Sequence, residues 1–210
     1  MSKTAANDYP IHDLLKRRWS PRAFADRPIE PEKLLSLLEA ARWAPSSYNE
    51  QPWAFVVATR DQPEDYARLL GCLIEFNQTW AKAAPVLVLT FAHLSFERNQ
   101  QANRHSYHDL GLAVGALTVQ ATAEGLAVHQ MAGISVEKIR QTFAPPAGWD
   151  PVSAVAIGYA GDPETLPKEL RERELAAPTR KALASFVFAG AWGLPSPLLA
   201  QSEHQGDPGE

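Results

Sequence analysis

Three features of this 210-residue sequence predict a single domain of the α+β or α/β class. Short β-branched or apolar runs of strand length, Trp53 to Ala58, Val86 to Phe91 and Val152 to Tyr159, alternate with longer segments of helical period. Leu34, Leu37, Leu38 and Ala41 recur at i, i+3, i+4 and i+7, as do Leu110, Ala113, Val114 and Leu117. Many of the 17 prolines fall between these segments, where they end one element and admit the next. A chain of this length can bury a core without disulfides, and Cys72, the single cysteine, can form none within the chain.

The elements follow in order. Pro10 to Arg18 reads as a short helix that stops before the turn-like Ser20-Pro21. Pro28-Ile29-Glu30-Pro31 opens a stronger helix, with acids near its start to suit the helix dipole and Pro45 as its stop. Strand Trp53 to Ala58 comes after a polar loop, and Glu64 to Lys82 holds one or two helices. Strand Val86 to Phe91 starts behind Pro85. Tyr107 to Glu124 is a long helix whose Gly111, Gly115, Ala116 and Ala123 keep its surface thin, with Gly125 as C-cap. Ser135 is a good N-cap for a helix to about Phe143. After strand Val152 to Tyr159, Pro178 to Phe186 is expected to form a last short helix.

Composition narrows the function. Apolar residues at 45% and charged residues at 21% exclude global disorder. A net charge of −4 gives no basic face for nucleic acid or for an acidic membrane surface. The longest nearly apolar run, Ala83 to Ala92, is too short to span a bilayer. No signal-like segment opens the chain, so the expected compartment is the cytoplasm. G-x-G-x-x-G, Walker, H-E-x-x-H and G-x-S-x-G motifs are all missing. His105, His108 and Asp109 read as exposed residues at a helix start rather than a metal site. Cys72 reads as packing, and the isolated His129 as a core histidine rather than a catalytic base.

Two segments carry chemistry. Arg17-Arg18-Trp19-Ser20-Pro21-Arg22 sets three guanidiniums and a hydroxyl at a helix-to-turn boundary, donors that suit phosphate oxygens. Taken alone it can equally be a solvated basic helix end. Ala44-Pro45-Ser46-Ser47-Tyr48-Asn49-Glu50-Gln51-Pro52-Trp53 presents short polar side chains on a backbone stiffened by two prolines, directly before a strand.

In this order and separation, the two segments resemble the nitroreductase family of flavoproteins over about residues 11–190. The resemblance implies a three-layer α-β-α sandwich of α+β class, with a central, mostly antiparallel sheet and a long dimer helix. Residues 1–194 would be one FMN-binding domain, and the segment 195–210, rich in Pro, Gly, Ser and acids, is expected from its composition to be a flexible tail. Arg18, Ser20 and Arg22 would grip the FMN phosphate and ribityl chain, with Trp19 adding backbone contacts. Trp19 stands where the family often has a second basic residue. Arg180 and Lys181 are candidates to complete the phosphate site. Pro45, Ser46, Ser47 and Asn49 would meet flavin bound mainly to the other subunit of a homodimer. Asn77 resembles a residue at the pyrimidine edge of the ring, and Gln130, Met131, Ala132 and Gly133 would set backbone against N5. The resemblance implies no catalytic side chain and no metal. NADH or NADPH would reduce the flavin, and a nitroaromatic, quinone or similar small acceptor would reoxidise it by a ping-pong mechanism. A same-fold reductive dehalogenase, a flavin-fragmenting enzyme and a non-catalytic flavin-binding protein remain alternatives.

Overall fold

A computed structural model describes residues 3–199 of the chain. It divides into two units, the first ending at Ala176 and the second beginning at Ala177.

The first unit is organised by β2 (Val86–His93), whose residues are buried along almost their whole length. Side chains alternate across a strand, so Val86 and Val88 enter one core while Leu87, Leu89 and Phe91 enter another. β2 lies between β1 (Trp53–Thr59) and β4 (Trp149–Gly158), and β3 (Ala127–Met131) closes the order β1-β2-β4-β3. All three pairings are antiparallel, with a register shift between Thr90 and Phe91.

Helices α2 (Pro31–Arg42) and α5 (Ser106–Ala123) cover one face. Leu37 and Ala41 of α2 pack there with Leu110, Ala113, Val114 and Leu117 of α5. The other face carries α3 (Pro63–Gly71), α4 (Glu75–Ala81), α6 (Val136–Phe143) and α7 (Lys168–Leu175), through Leu69, Trp80, Ile139 and Leu170. The result is the expected three-layer α+β arrangement.

Local signals account for the boundaries. α1 (Asp13–Arg17) is capped by the His12 ring, which accepts the Leu14 N–H, and ends at an extended Arg18. Ser135 caps α6 by accepting from the Lys138 N–H. Gly125 follows α5 with φ +74°, the left-handed conformation that a glycine at this point supplies.

Three elements depart from expectation. β3 lacks a recognisable strand pattern because His129 and Gln130 interrupt its apolar run. α7 carries no apolar stripe, since its buried residues are Leu170 and Glu174, one of them a carboxylate. The helix expected over Pro178 to Phe186 is reduced to a 3-10 turn, Leu183–Ser185, which buries none of its residues. Helix nucleation is costly, and a segment this short has no buried face to offset it.

In the second unit, Phe188 bridges Pro195 across a turn in which Gly190 and Gly193 take positive φ, and the Phe188 and Trp192 rings lie 5.2 Å apart. Residues 200–210 of the expected tail lie outside the described residues.

Candidate active site

α1 unwinds into the turn Arg18–Arg22, where Arg18 Nη1 lies 3.3 Å from Ser20 Oγ. The Trp19 indole meets the Lys3 ammonium at 5.3 Å. At the end of the turn, the Arg22 guanidinium lies 6.0 Å from the Trp80 ring on α4. Its Nε is buried and has no hydrogen-bond partner among the described residues. A buried cationic N–H left unpaired inside a protein marks a place that suits an acceptor.

His129 joins the turn to β3. Its Nδ1–H donates to the Pro21 carbonyl at 2.9 Å, and its ring lies 4.5 Å from that of Trp80. Burial pushes its pKa down to about 4, the Arg22 charge acts in the same direction, and hydrogen bonds to the Pro21 and Ser20 backbone oppose both. The ring is therefore neutral at pH 7, a core histidine as expected.

β3 continues into Ala132-Gly133, and the Gly133 carbonyl accepts from both the Ile74 N–H and Asn77 Nδ2, each at 3.1 Å. Asn77 is buried on α4. Arg22, Asn77 and Gly133, far apart in sequence, are thus tied together through α4 and β3. Met131 is buried, while Gln130 and Ala132 are exposed.

Gly133 is small because α4 is close. A Cβ there would lie 2.5 Å from Asn77 Nδ2 and 2.5 Å from Ile74 Cδ1. Gly133→Val is therefore expected to cost about 1–3 kcal/mol, the range for overpacking, and to push Asn77 aside. Urea unfolding measures this, and an unchanged midpoint would show that α4 yields without strain.

The second motif sits elsewhere. Pro45 and Asn49 are exposed, Ser46 Oγ accepts the Gln51 N–H at 2.9 Å, and Tyr48, Asn49 and Gln51 all have φ between +52° and +56°. Asp109 at the start of α5 accepts the Ser47 N–H at 2.9 Å. Asp109 is 2% exposed, which corrects its reading as a solvated helix-start residue. A buried carboxylate needs such a donor, and here it comes from a loop 62 residues away in sequence. The Tyr48 ring packs edge-on against Phe96, under the Arg98 guanidinium. Arg180 and Lys181 belong to the second unit, both exposed, with Arg180 Nη1 donating to the Thr179 carbonyl.

Sequence reasoning missed Glu174. It is 1% exposed on α7 and accepts the Arg22 N–H at 2.9 and 3.0 Å and the Ala23 N–H at 3.2 Å. No pattern announces it within the charged run Lys168 to Glu174.

The family model for the nitroreductase family matches residues 15–159, which takes in the turn, the loop, α4 and β3. The chain belongs to the nitroreductase family. This nitroreductase-family oxidoreductase is similar to a solved oxidoreductase containing FMN, with 38% identity, a TM-score of 0.84, and 89% of this chain and 94% of that chain covered. A Streptomyces coelicolor protein with the provisional name NADH dehydrogenase/NAD(P)H nitroreductase is 29% identical over 175 residues, 73% of this chain and 86% of that protein. The iodotyrosine deiodinase of Thermotoga neapolitana is 26% identical over 175 residues, 73% of this chain and 90% of that enzyme. No helix among the described residues of this family member is long and apolar enough to cross a membrane.

Proposed function

We propose that this chain is an FMN-dependent oxidoreductase, a cytoplasmic homodimer that uses NADH or NADPH to reduce a nitroaromatic, a quinone or a similar small acceptor. The observation that carries this reading is the convergence of the Arg18–Arg22 turn, Asn77 and Gly133, bridged by Trp80 and His129. The donor set fits a flavin mononucleotide: Arg18 beside Ser20 offers one phosphate-sized cationic cradle, and the buried Arg22 Nε lacks an acceptor among the described residues.

Arg18 and Ser20 would hold the phosphate and ribityl chain, with Trp19 contributing backbone. Asn77 spends its amide hydrogen on Gly133, which leaves its carbonyl oxygen to accept from the ring edge. Arg22 would place positive charge where negative charge develops on the reduced ring. Gln130, Met131, Ala132 and Gly133 would supply backbone along the same edge. Bound FMN would supply the redox chemistry, accepting hydride at N5 and passing electrons to the acceptor.

Pro45, Ser46, Ser47 and Asn49 would serve the partner subunit's flavin. Ser47 of this loop donates its N–H to Asp109, on the helix read as the dimer core. The outer side of α5 supports that reading. Cβ atoms built on Gly111 and Gly115 meet nothing within 4 Å among the described residues. Leu112 of α5 and Leu35 of α2 are exposed, as is Trp43, 75% exposed, just beyond α2. Gly115→Leu should therefore leave the fold intact and weaken the dimer by about 1–3 kcal/mol. Light scattering is expected to show monomer at micromolar concentration with reduced FMN occupancy, and an unchanged dimer would remove Gly115 from the interface.

The decisive experiment is an absorbance spectrum of purified protein, followed by anaerobic titration with NADH and NADPH. A yellow protein bleached faster than free FMN, with parallel double-reciprocal lines for donor and acceptor, is the expected outcome. Reduction no faster than free FMN would eliminate the oxidoreductase reading in favour of a flavin-binding protein. The deiodinase relative favours a second reading, a reductive dehalogenase. Halide release from a halogenated phenol, without reduction of nitroaromatics or quinones, would decide for it.

A further inference from the structure

We propose that Glu174 is a positioning residue of the cofactor turn, holding Arg22 in its binding geometry through the backbone. This rests on the reading of Arg18–Arg22 as the FMN site.

An ionised carboxylate is expensive to bury unless its oxygens are fully hydrogen-bonded. Glu174 meets that requirement in an unusual way. Both of its oxygens accept the Arg22 N–H, and Oε1 also accepts the Ala23 N–H. The side chain of Arg22 is a poor partner by comparison, with Nη1 at 3.9 Å from Oε2. The carboxylate therefore grips the turn without capturing the guanidinium, whose Nε keeps no partner among the described residues.

The grip is opposed from the other side. Pro21 offers its carbonyl to His129 of β3, while the next two amides point to Glu174 of α7. Three consecutive residues are thus fixed by one donor and one acceptor from separate elements. An anion-binding turn needs this kind of fixing, because Arg22 supplies no directed contact if its backbone rotates. The α7 helix itself buries little besides Leu170 and Glu174, so the anchor is a large part of what this helix contributes.

Glu174→Gln keeps the shape but offers an N–H to an N–H. FMN affinity is expected to fall about 10-fold, for the loss of a charge-assisted hydrogen bond. Riboflavin, which lacks the phosphate, should lose a similar factor. If Glu174 acted only as a charge, FMN would bind more tightly to the variant and riboflavin unchanged, which overturns the inference. A fall in thermal midpoint with both affinities unchanged overturns it as well.

Amide hydrogen exchange reads the anchor without cofactor. The Arg22 and Ala23 amides should exchange slowly in the wild type and faster in the variant, while the β2 amides keep their rates. Should Glu174→Gln fail to fold, Glu174→Asp, which keeps the charge but withdraws it by one methylene, should give the same losses. Fast wild-type exchange at Arg22 and Ala23 overturns the proposal whatever the variants do. Wild-type protein that binds no FMN would sink the reading of the site, and the inference with it. Normal wild-type binding with unchanged variant affinities would sink the inference alone.

Discussion

Arg18→Ala is expected to weaken FMN binding by about 10- to 150-fold. The estimate comes from removing one charge-assisted hydrogen bond, about 1.5–3 kcal/mol, at a tenfold change per 1.4 kcal/mol. Arg18 sits one residue past the end of α1, in extended conformation, with its Nη1 on the Ser20 hydroxyl. The side chain is half-buried, so its removal deletes a partly desolvated charge rather than a fully screened one. Fluorescence titration of FMN separates the effect from stability. Affinity should fall, the urea midpoint should hold, and raising the salt should weaken wild-type binding more than variant binding. An unchanged dissociation constant would take Arg18 out of the site.

The second large effect is on pH. His129 has a pKa near 4 in the folded protein against an ordinary 6.5. The unfolded chain thus binds the proton more readily. The sign follows: His129 contributes stability that is complete above pH 6.5 and is lost as pH falls toward 4. At about 1.4 kcal/mol per pKa unit, the whole contribution is about 3 kcal/mol. Acid would place a second positive charge beside Arg22 and against the Trp80 ring. Urea midpoints between pH 4 and 7 should rise with pH in the wild type. In His129→Gln the slope should be smaller by up to one proton. Equal slopes in the two proteins, or a His129 resonance titrating at 6.5, would show that the ring is not desolvated as the fold implies.

The central layer was the most legible part of this chain. β2 announces itself because a strand buried on both faces must be largely apolar, and β4 does so over its buried second half, Ala154 to Gly158. α2 and α5 show through their stripes of leucine and alanine. The two polar motifs were legible for a different reason: arginine beside serine, and short polar residues between prolines, have few purely structural uses together. What escaped was whatever depends on a long-range partner. Glu174 is one charged residue among several until Arg22 and Ala23 turn their amides toward it. Asp109 looks like a solvated helix start until Ser47 reaches it. β3 is a strand because β4 pairs with it, register by register from Ala127 to Met131, and not because of its own composition.

The loop from Pro45 to Pro52 has a bearing on how this protein could be improved. Tyr48, Asn49 and Gln51 all have positive φ, a state that asparagine tolerates but that costs residues such as Tyr48 and Gln51 about 1–2 kcal/mol each. The native fold carries this load where a cofactor-facing surface is proposed, and Asp109 holds it there. Selection for heat tolerance should find its first gains in this stretch, by glycine at one of these positions relieving the load. Those same gains should blunt turnover, since they slacken a surface that works by being stiff.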